Sequence, residues 1–218
     1  MKYSASEENY IKCIYHLQEQ HEQVSAGMLA EAVQTKAASV TDMLKKLQQK
    51  KTVNYRPYQN FTLTETGNRI ALDVIRKHRL WEFFLVDKLG FRWDEVHDIA
   101  EELEHISSPV LIQRLDNYLN NPAFDPHGDP IPDNRGKIKI IRQANLTELN
   151  LKQTYSVSAI KDQSSQMLDL LQHYGIQLGT KLKVQRRFEF DGSLEIKIDK
   201  QPVATLSEQV AKNIYCTL

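Results

Sequence analysis

The sequence predicts an α+β chain of more than one domain, helical over its first part and built of short strands over its last. Three observations carry this. From Glu7 to Leu119, apolar residues recur at helical spacing with only short breaks. Residues 120–136, NNPAFDPHGDPIPDNRG, hold four of the seven prolines, a composition that sustains neither helix nor central strand and so marks a linker or crossing loop. Lys181–Phe190 and Ser193–Ile198 alternate apolar and polar residues on either side of Asp191-Gly192, the pattern of a β-hairpin. A tail of this kind closes as a small barrel or sandwich.

Taken in order, the first elements have the arithmetic of a helix-turn-helix. Ser25–Ala32 reads as a short helix, Val33–Lys36 as a turn, and Ala37–Lys50 as a second helix with Val40, Met43, Leu44 and Leu47 at core spacing. Two short β segments follow, Thr52–Tyr55 and Phe61–Thr64, joined by the basic and aromatic tip Arg56-Pro57-Tyr58-Gln59-Asn60. A hairpin in that position is a wing. The second helix exposes Lys36, Ala38, Ser39, Thr41 and Asp42 near its start, suited to reading the major groove, and Lys45, Lys46, Lys50 and Lys51 later, suited to phosphates. Arg56, Tyr58 and Gln59 are the candidate contacts of the wing. The competing reading is a three-helix packing unit with a solvated lysine face.

Composition narrows the class. The 218 residues include 28 Lys and Arg against 28 Asp and Glu, with 41% hydrophobic and 8% aromatic residues, and the zero net charge conceals a segregation. Residues 1–80 carry 12 basic and 8 acidic groups, residues 81–130 carry 3 and 11, and residues 131–218 carry 13 and 9, for net charges of +4, −8 and +4. Positive charge on the winged segment favours a polyanion and makes binding salt-dependent. Two cysteines, Cys13 and Cys216, without CxxC spacing, argue against a zinc knuckle, a redox dithiol or a disulfide framework, and Cys13 reads as a packed thiol. With neither a signal peptide nor an apolar run of membrane-spanning length, the expected location is cytoplasmic, with no membrane partner.

The acidic middle holds the chemistry. On the helix predicted over Thr66–Leu89, His78 and Glu82 fall on the apolar stripe of Ala71, Ile75, Leu85 and Leu89. Buried ionisable groups need a partner, which is either each other or a cation. On the helix predicted over Asp94–Ser107, His97, Glu101, Glu104 and His105 lie within an arc of roughly 100°. Imidazoles and carboxylates at i, i+3 and i, i+4 form a chelating face for a divalent transition ion, although a solvated acidic face has the same spacing. Such helices could also build a dinuclear hydrolase. No GxSxG or phosphate loop accompanies them, and the helix-turn-helix makes metal sensing the simpler account.

IRKHRLWEFFL at 75–85, VHDIAEELEHISSP at 96–109 and DPHGDPIP at 125–132, behind a winged helix-turn-helix, resemble the diphtheria-toxin-repressor and manganese-transport-regulator family of metal-dependent transcriptional regulators. The tail from about Asn145, with GIQLGTKLKV at 175–184, looks like the SH3-like domain of its long members. The resemblance implies three domains: a winged helix-turn-helix over 1–72, a helical metal-binding and dimerisation domain over 73–136, and an SH3-like β-barrel (FeoA-like) over 145–218. It also implies a primary metal site of His78, Glu101, Glu104 and His105 with the first-helix position that is Asn9 here. Manganese-responsive members usually have Asp at that position and iron-responsive ones Met, so Asn9 is a departure, with Glu7 or Glu8 as substitute donors. A secondary site would use Glu82, Asp125, His127 and Asp162, with His97 as an ancillary ligand. Where iron-type members favour Cys this chain has Glu101, and it has Asp125 where members often carry Cys. Oxygen in place of sulfur points to Mn(II) first and Fe(II) second, with up to two ions per subunit. The implied protein is a homodimer that binds palindromic operator DNA and represses metal-uptake genes, with no organic substrate and no catalysis. A metal-independent winged-helix protein is the remaining alternative.

Overall fold

The computed structural model describes residues 2–56, 59–199 and 201–218. They form two compact units, one of Met1–His78, Glu102–Pro109 and Pro132–Lys137, the other of Arg79–Glu101, Val110–Ile131 and Ile138–Leu218.

In the first unit, α1 (Ala5–Gln20) begins with a reciprocal cap. The Ser4 hydroxyl accepts the Glu7 amide, and the Glu7 carboxylate accepts the Ser4 amide at 2.8 Å. Next come α2 (Ala26–Ala32), capped by Ser25, and α3 (Ala37–Gln49). The turn between them passes through Gln34 at φ 49°. The wing is the antiparallel pair β1 (Val53–Asn54) and β2 (Thr62–Leu63), with Val53 opposite Leu63. Ile11 and Ile14 from α1 join Leu29, Val40, Leu44, Leu47, Phe61 and Ala71 in one apolar core, so the recognition elements rest directly on the first helix. Gly67 lets α4 (Glu65–Leu89) start against the wing, because a Cβ there would come within 2.2 Å of the Thr52 carbonyl oxygen.

The helix predicted over Asp94–Ser107 is shorter in the structure. Helix α5 spans His97–Leu103, and Glu104 and His105 lie in the turn that follows it, where the Ile106 amide bonds back to the Leu103 carbonyl. Pro109 disfavours helix at Ser108 and is itself suited to the first position of α6 (Pro109–Tyr118).

The second unit carries the C-terminal sheet. Its strands are β3 (Gln143–Asn145), β4 (Thr154–Ile160), β5 (Lys181–Arg187), β6 (Leu194–Ile198), β7 (Val203–Leu206) and β8 (Ile214–Thr217). They are antiparallel in the order β3-β8-β4-β5-β6-β7, with register shifts in β4 and β5. The helices α7 (Ser165–His173) and α8 (Glu208–Ala211) complete a core that includes Leu146, Ile160, Leu168, Leu171, Ile176, Leu182 and Ile196. Helix α7 departs from the strand-dominated expectation for this tail. Its capping serine, Ser164, and its buried Met167, Leu168 and Leu171 explain it.

Candidate metal centres and nucleic-acid face

On α3, Lys36 stands at the N-cap with no side-chain cap bond, and Ala38, Ser39 and Asp42 are exposed around it. The half-buried Thr41 turns its hydroxyl onto the Ala37 carbonyl at 2.9 Å. Arg56 and Gln59 are exposed at the wing; Tyr58 lies outside the described residues. Two of the later lysines are not simply solvated. Lys46 and Lys50 reach Glu7, at 3.2 and 2.7 Å, and bind α3 to α1. Although burial works to raise it, the Glu7 pKa is held at about 2 by Lys50, the Ser4 amide and Lys46.

The first cluster of ionisable groups lies within the first unit. Glu104 is fully buried, and its carboxylate meets His78 Nδ1 at 2.6 Å and the ammonium of Lys12 at 2.7 and 2.8 Å. His105 turns Nδ1 to the Glu8 carboxylate at 2.7 Å, and its Nε2 stands 3.7 Å from Glu104. That Nε2 and the side-chain oxygen of Asn9 are both buried without a hydrogen-bond partner. An imidazole nitrogen beside Glu104 and a buried amide oxygen left in this state are what a cation would satisfy. Of the two neighbours of Asn9 considered as substitutes, the structure brings Glu8 to the cluster. Glu7 is committed to Ser4 and the α3 lysines. Sequence reasoning misses Lys12, although it lies one turn beyond Glu8 and Asn9 and therefore on their face of α1.

The second cluster lies within the second unit. One ligand-type atom from each of Glu82, Asp125 and His127 lies within 4.8 Å of the others, and all three residues are buried. Two contacts fix the histidine: its Nε2 meets the Trp93 carbonyl at 2.8 Å, and its ring stacks on Trp93. With Nε2 as the donor, the neutral ring presents the Nδ1 lone pair, which is buried, 3.7 Å from Glu82 and without a hydrogen-bond partner. The Asp125 carboxylate accepts the amides of His127 and Asp129, and Arg79 stands 3.6 Å away. Burial and the charges of Asp129 and Glu82 push Asp125 up to about 7. Burial opposes protonation of His127, yet Glu82 and Asp125 push it up to about 9. Gly128, at φ +92°, admits the loop, because a Cβ would lie 2.0 Å from the Ser158 carbonyl oxygen. The His127 carbonyl then accepts the Ile160 amide at 2.9 Å.

Other expected residues stand apart or at the margin. His97 is half-exposed, with its ring 3.5 Å from Glu82 and 3.8 Å from the Glu101 carboxylate on α5. Asp162 is exposed and accepts the Ser164 amide at the head of α7, so the structure does not bring it to Glu82, Asp125 and His127. Its neighbour Gln163 reaches the loop instead, bonding Asp129 at 2.9 Å.

A winged helix-turn-helix in one chain with buried imidazole and carboxylate clusters defines a metal-responsive DNA-binding regulator. Comparison with known proteins agrees. Three family models match: the iron dependent repressor N-terminal DNA binding domain over residues 2–61, the iron dependent repressor metal binding and dimerisation domain over 64–133, and the FeoA domain over 144–218. The last of these places the strand-rich tail as the FeoA domain. Among solved structures, a manganese-dependent transcriptional repressor in complex with manganese is 39% identical, with a TM-score of 0.85, over 97% of this chain and 99% of that one. The manganese regulator SloR is 32% identical, with a TM-score of 0.74, over 96% and 97%. The iron-dependent repressor IdeR of Mycobacterium tuberculosis is 35% identical over 125 residues, which are 57% of this chain and 54% of that protein. The match thus spans about half the length of these curated relatives. The chain belongs to the iron-dependent repressor family of metal-dependent transcriptional regulators.

Proposed function

We propose that this chain is a cytoplasmic, Mn(II)-activated repressor of metal-uptake genes, with Fe(II) as the second candidate ion, and that it acts as a homodimer on palindromic operator DNA rather than as an enzyme. The observation that carries the metal assignment is the donor set. Both clusters offer imidazole nitrogen and carboxylate or amide oxygen, with Asp125 and Glu104 as hard donors, a chemistry that suits Mn(II) better than thiophilic ions. The first ion would be held by His78, Glu104 and His105 with Asn9 and Glu8, and the second by Glu82, Asp125 and His127. When bound, each ion supplies a double positive charge to carboxylates that otherwise rely on protons or ammonium groups.

The remaining steps belong to the chain itself. Glu8 brings α1 to His105, and Glu7 holds α3 through Lys46 and Lys50, so ordering the first helix orders the recognition helix. A ligand that prefers this arrangement by a few kcal/mol is enough for a useful switch. Homodimerisation is supported by the exposed apolar side chains Leu89, Val110, Leu111 and Tyr118 at the end of α4 and on α6, and a two-fold dimer calls for a two-fold operator. We take the domain limits as 1–72, 73–136 and 145–218. The dinuclear hydrolase reading finds no support among the relatives.

The test is a fluorescence-anisotropy titration of a palindromic promoter fragment with Mn(II), Fe(II), Zn(II) or chelator. Mn(II) should tighten binding and chelator should reverse it. Equal binding in all four conditions would refute metal activation and leave a metal-independent winged-helix protein.

A further inference from the structure

The first cluster contains its own cation. The Lys12 ammonium meets both oxygens of Glu104, at 2.7 and 2.8 Å, where the carboxylate is fully buried and the lysine side chain only 13% exposed. A carboxylate buried to that degree needs a positive partner. Lys12 provides one from α1, reaching a residue 92 positions away in sequence. The lone pairs that accept the ammonium are those that a divalent ion would need.

We propose that Lys12 is the resident counter-ion of the metal-free protein and sets the concentration at which a divalent ion takes Glu104 from it. The proposal rests on the reading of this cluster as the first metal site. Loading the site is then an exchange. Lys12 gives up Glu104 and carries its charge toward solvent on a flexible four-carbon stem, and Glu104 turns its freed oxygens to the ion. The observed affinity is the intrinsic one reduced by the population in which Lys12 holds the carboxylate. Lys12 thereby raises the metal threshold while keeping the empty cluster electrostatically satisfied.

The experiment measures Mn(II) binding by electron paramagnetic resonance and thermal unfolding with and without Mn(II), using the full-length protein in a His127→Ala background so that the first cluster dominates. Lys12→Met should bind Mn(II) at least about tenfold more tightly, melt lower without metal and gain more from Mn(II) than its parent. Lys12→Arg, which retains the positive charge, should stay close to the parent. If Lys12→Met does not fold without metal, Lys12→Gln carries the same expectation. Unchanged or weaker Mn(II) binding in the folded charge-removing variant overturns the proposal. Glu104→Ala in the same background separates the two ideas: if it binds Mn(II) as its parent does, the cluster is not the first metal site.

Discussion

The two clusters are made of the same residue types and differ in what neutralises them. In the first, an ammonium group holds the buried Glu104 and each imidazole turns Nδ1 to a carboxylate. In the second, Glu82, Asp125 and His127 are buried together: burial and neighbouring carboxylates push Asp125 up to about 7, and, against its burial, the attraction of Glu82 and Asp125 pushes His127 up to about 9. A cation entering the first cluster competes with an ammonium group in direct contact with the carboxylate, whereas one entering the second competes with protons and meets the guanidinium of Arg79 3.6 Å from Asp125. If both clusters hold an ion as proposed, similar donors give two sites with different sensitivities, one set by the chain and the other by pH.

The comparison breaks most readily at Glu104. Glu104→Ala should weaken Mn(II) binding at the first cluster by about a hundredfold or more and remove most metal-dependent operator binding in the anisotropy assay. Full activation by the second cluster alone would place the switch there instead. His127→Ala should lower the Mn(II) stoichiometry by one ion per subunit and weaken metal-activated operator binding by about tenfold.

The pH dependence sharpens the contrast. His127 has a folded pKa of about 9, above its ordinary value, so below pH 9 its ring carries a proton that must leave before Nδ1 can bind an ion. Mn(II) affinity at the second cluster should therefore rise with pH between 6 and 9, with proton release visible by calorimetry in buffers of different ionisation heat. His127→Ala should abolish that release.

Glu7→Gln tests whether the neighbour of Glu8 is outside the first cluster. It should cost about 2–3 kcal/mol of stability at pH 7, read by denaturant unfolding, with metal affinity unchanged. Because the Glu7 pKa is depressed to about 2, its contribution is present above the ordinary carboxylate value and is lost as pH falls from about 4.5 towards 2. The acid side of the stability curve should be shallower in the variant. The smallest effect is expected for Asp162→Ala, which should change Mn(II) affinity by less than about twofold. A larger loss would bring Asp162 back into the second site.

Much of this is legible in the sequence because it depends on local spacing. The order helix, turn, helix, hairpin fixes the winged segment, and helical phase places His78 and Glu82 on the buried side of α4. Glu104 and His105 are identifiable although α5 stops before them, since a turn after a helix keeps the residues close to its last face. What the sequence does not show depends on contacts between distant segments. The pairing of Lys12 with Glu104 spans 92 positions, and no periodicity encodes it. Whether Asp162 or Gln163 faces the proline-rich loop is decided by the turn that Asp162 makes onto the Ser164 amide, a choice between adjacent residues that composition leaves open.

Glu7 and Glu8 are consecutive, so on a helix they point about 100° apart. One grips Lys46 of α3 and Lys50 at its C-terminal cap, and the other grips His105. The first helix thus works as a rigid crank, with its two arms set by helical phase rather than by any flexible joint. Inserting one residue between these carboxylates would put the arms out of phase: each grip could still form, but the two could not form together.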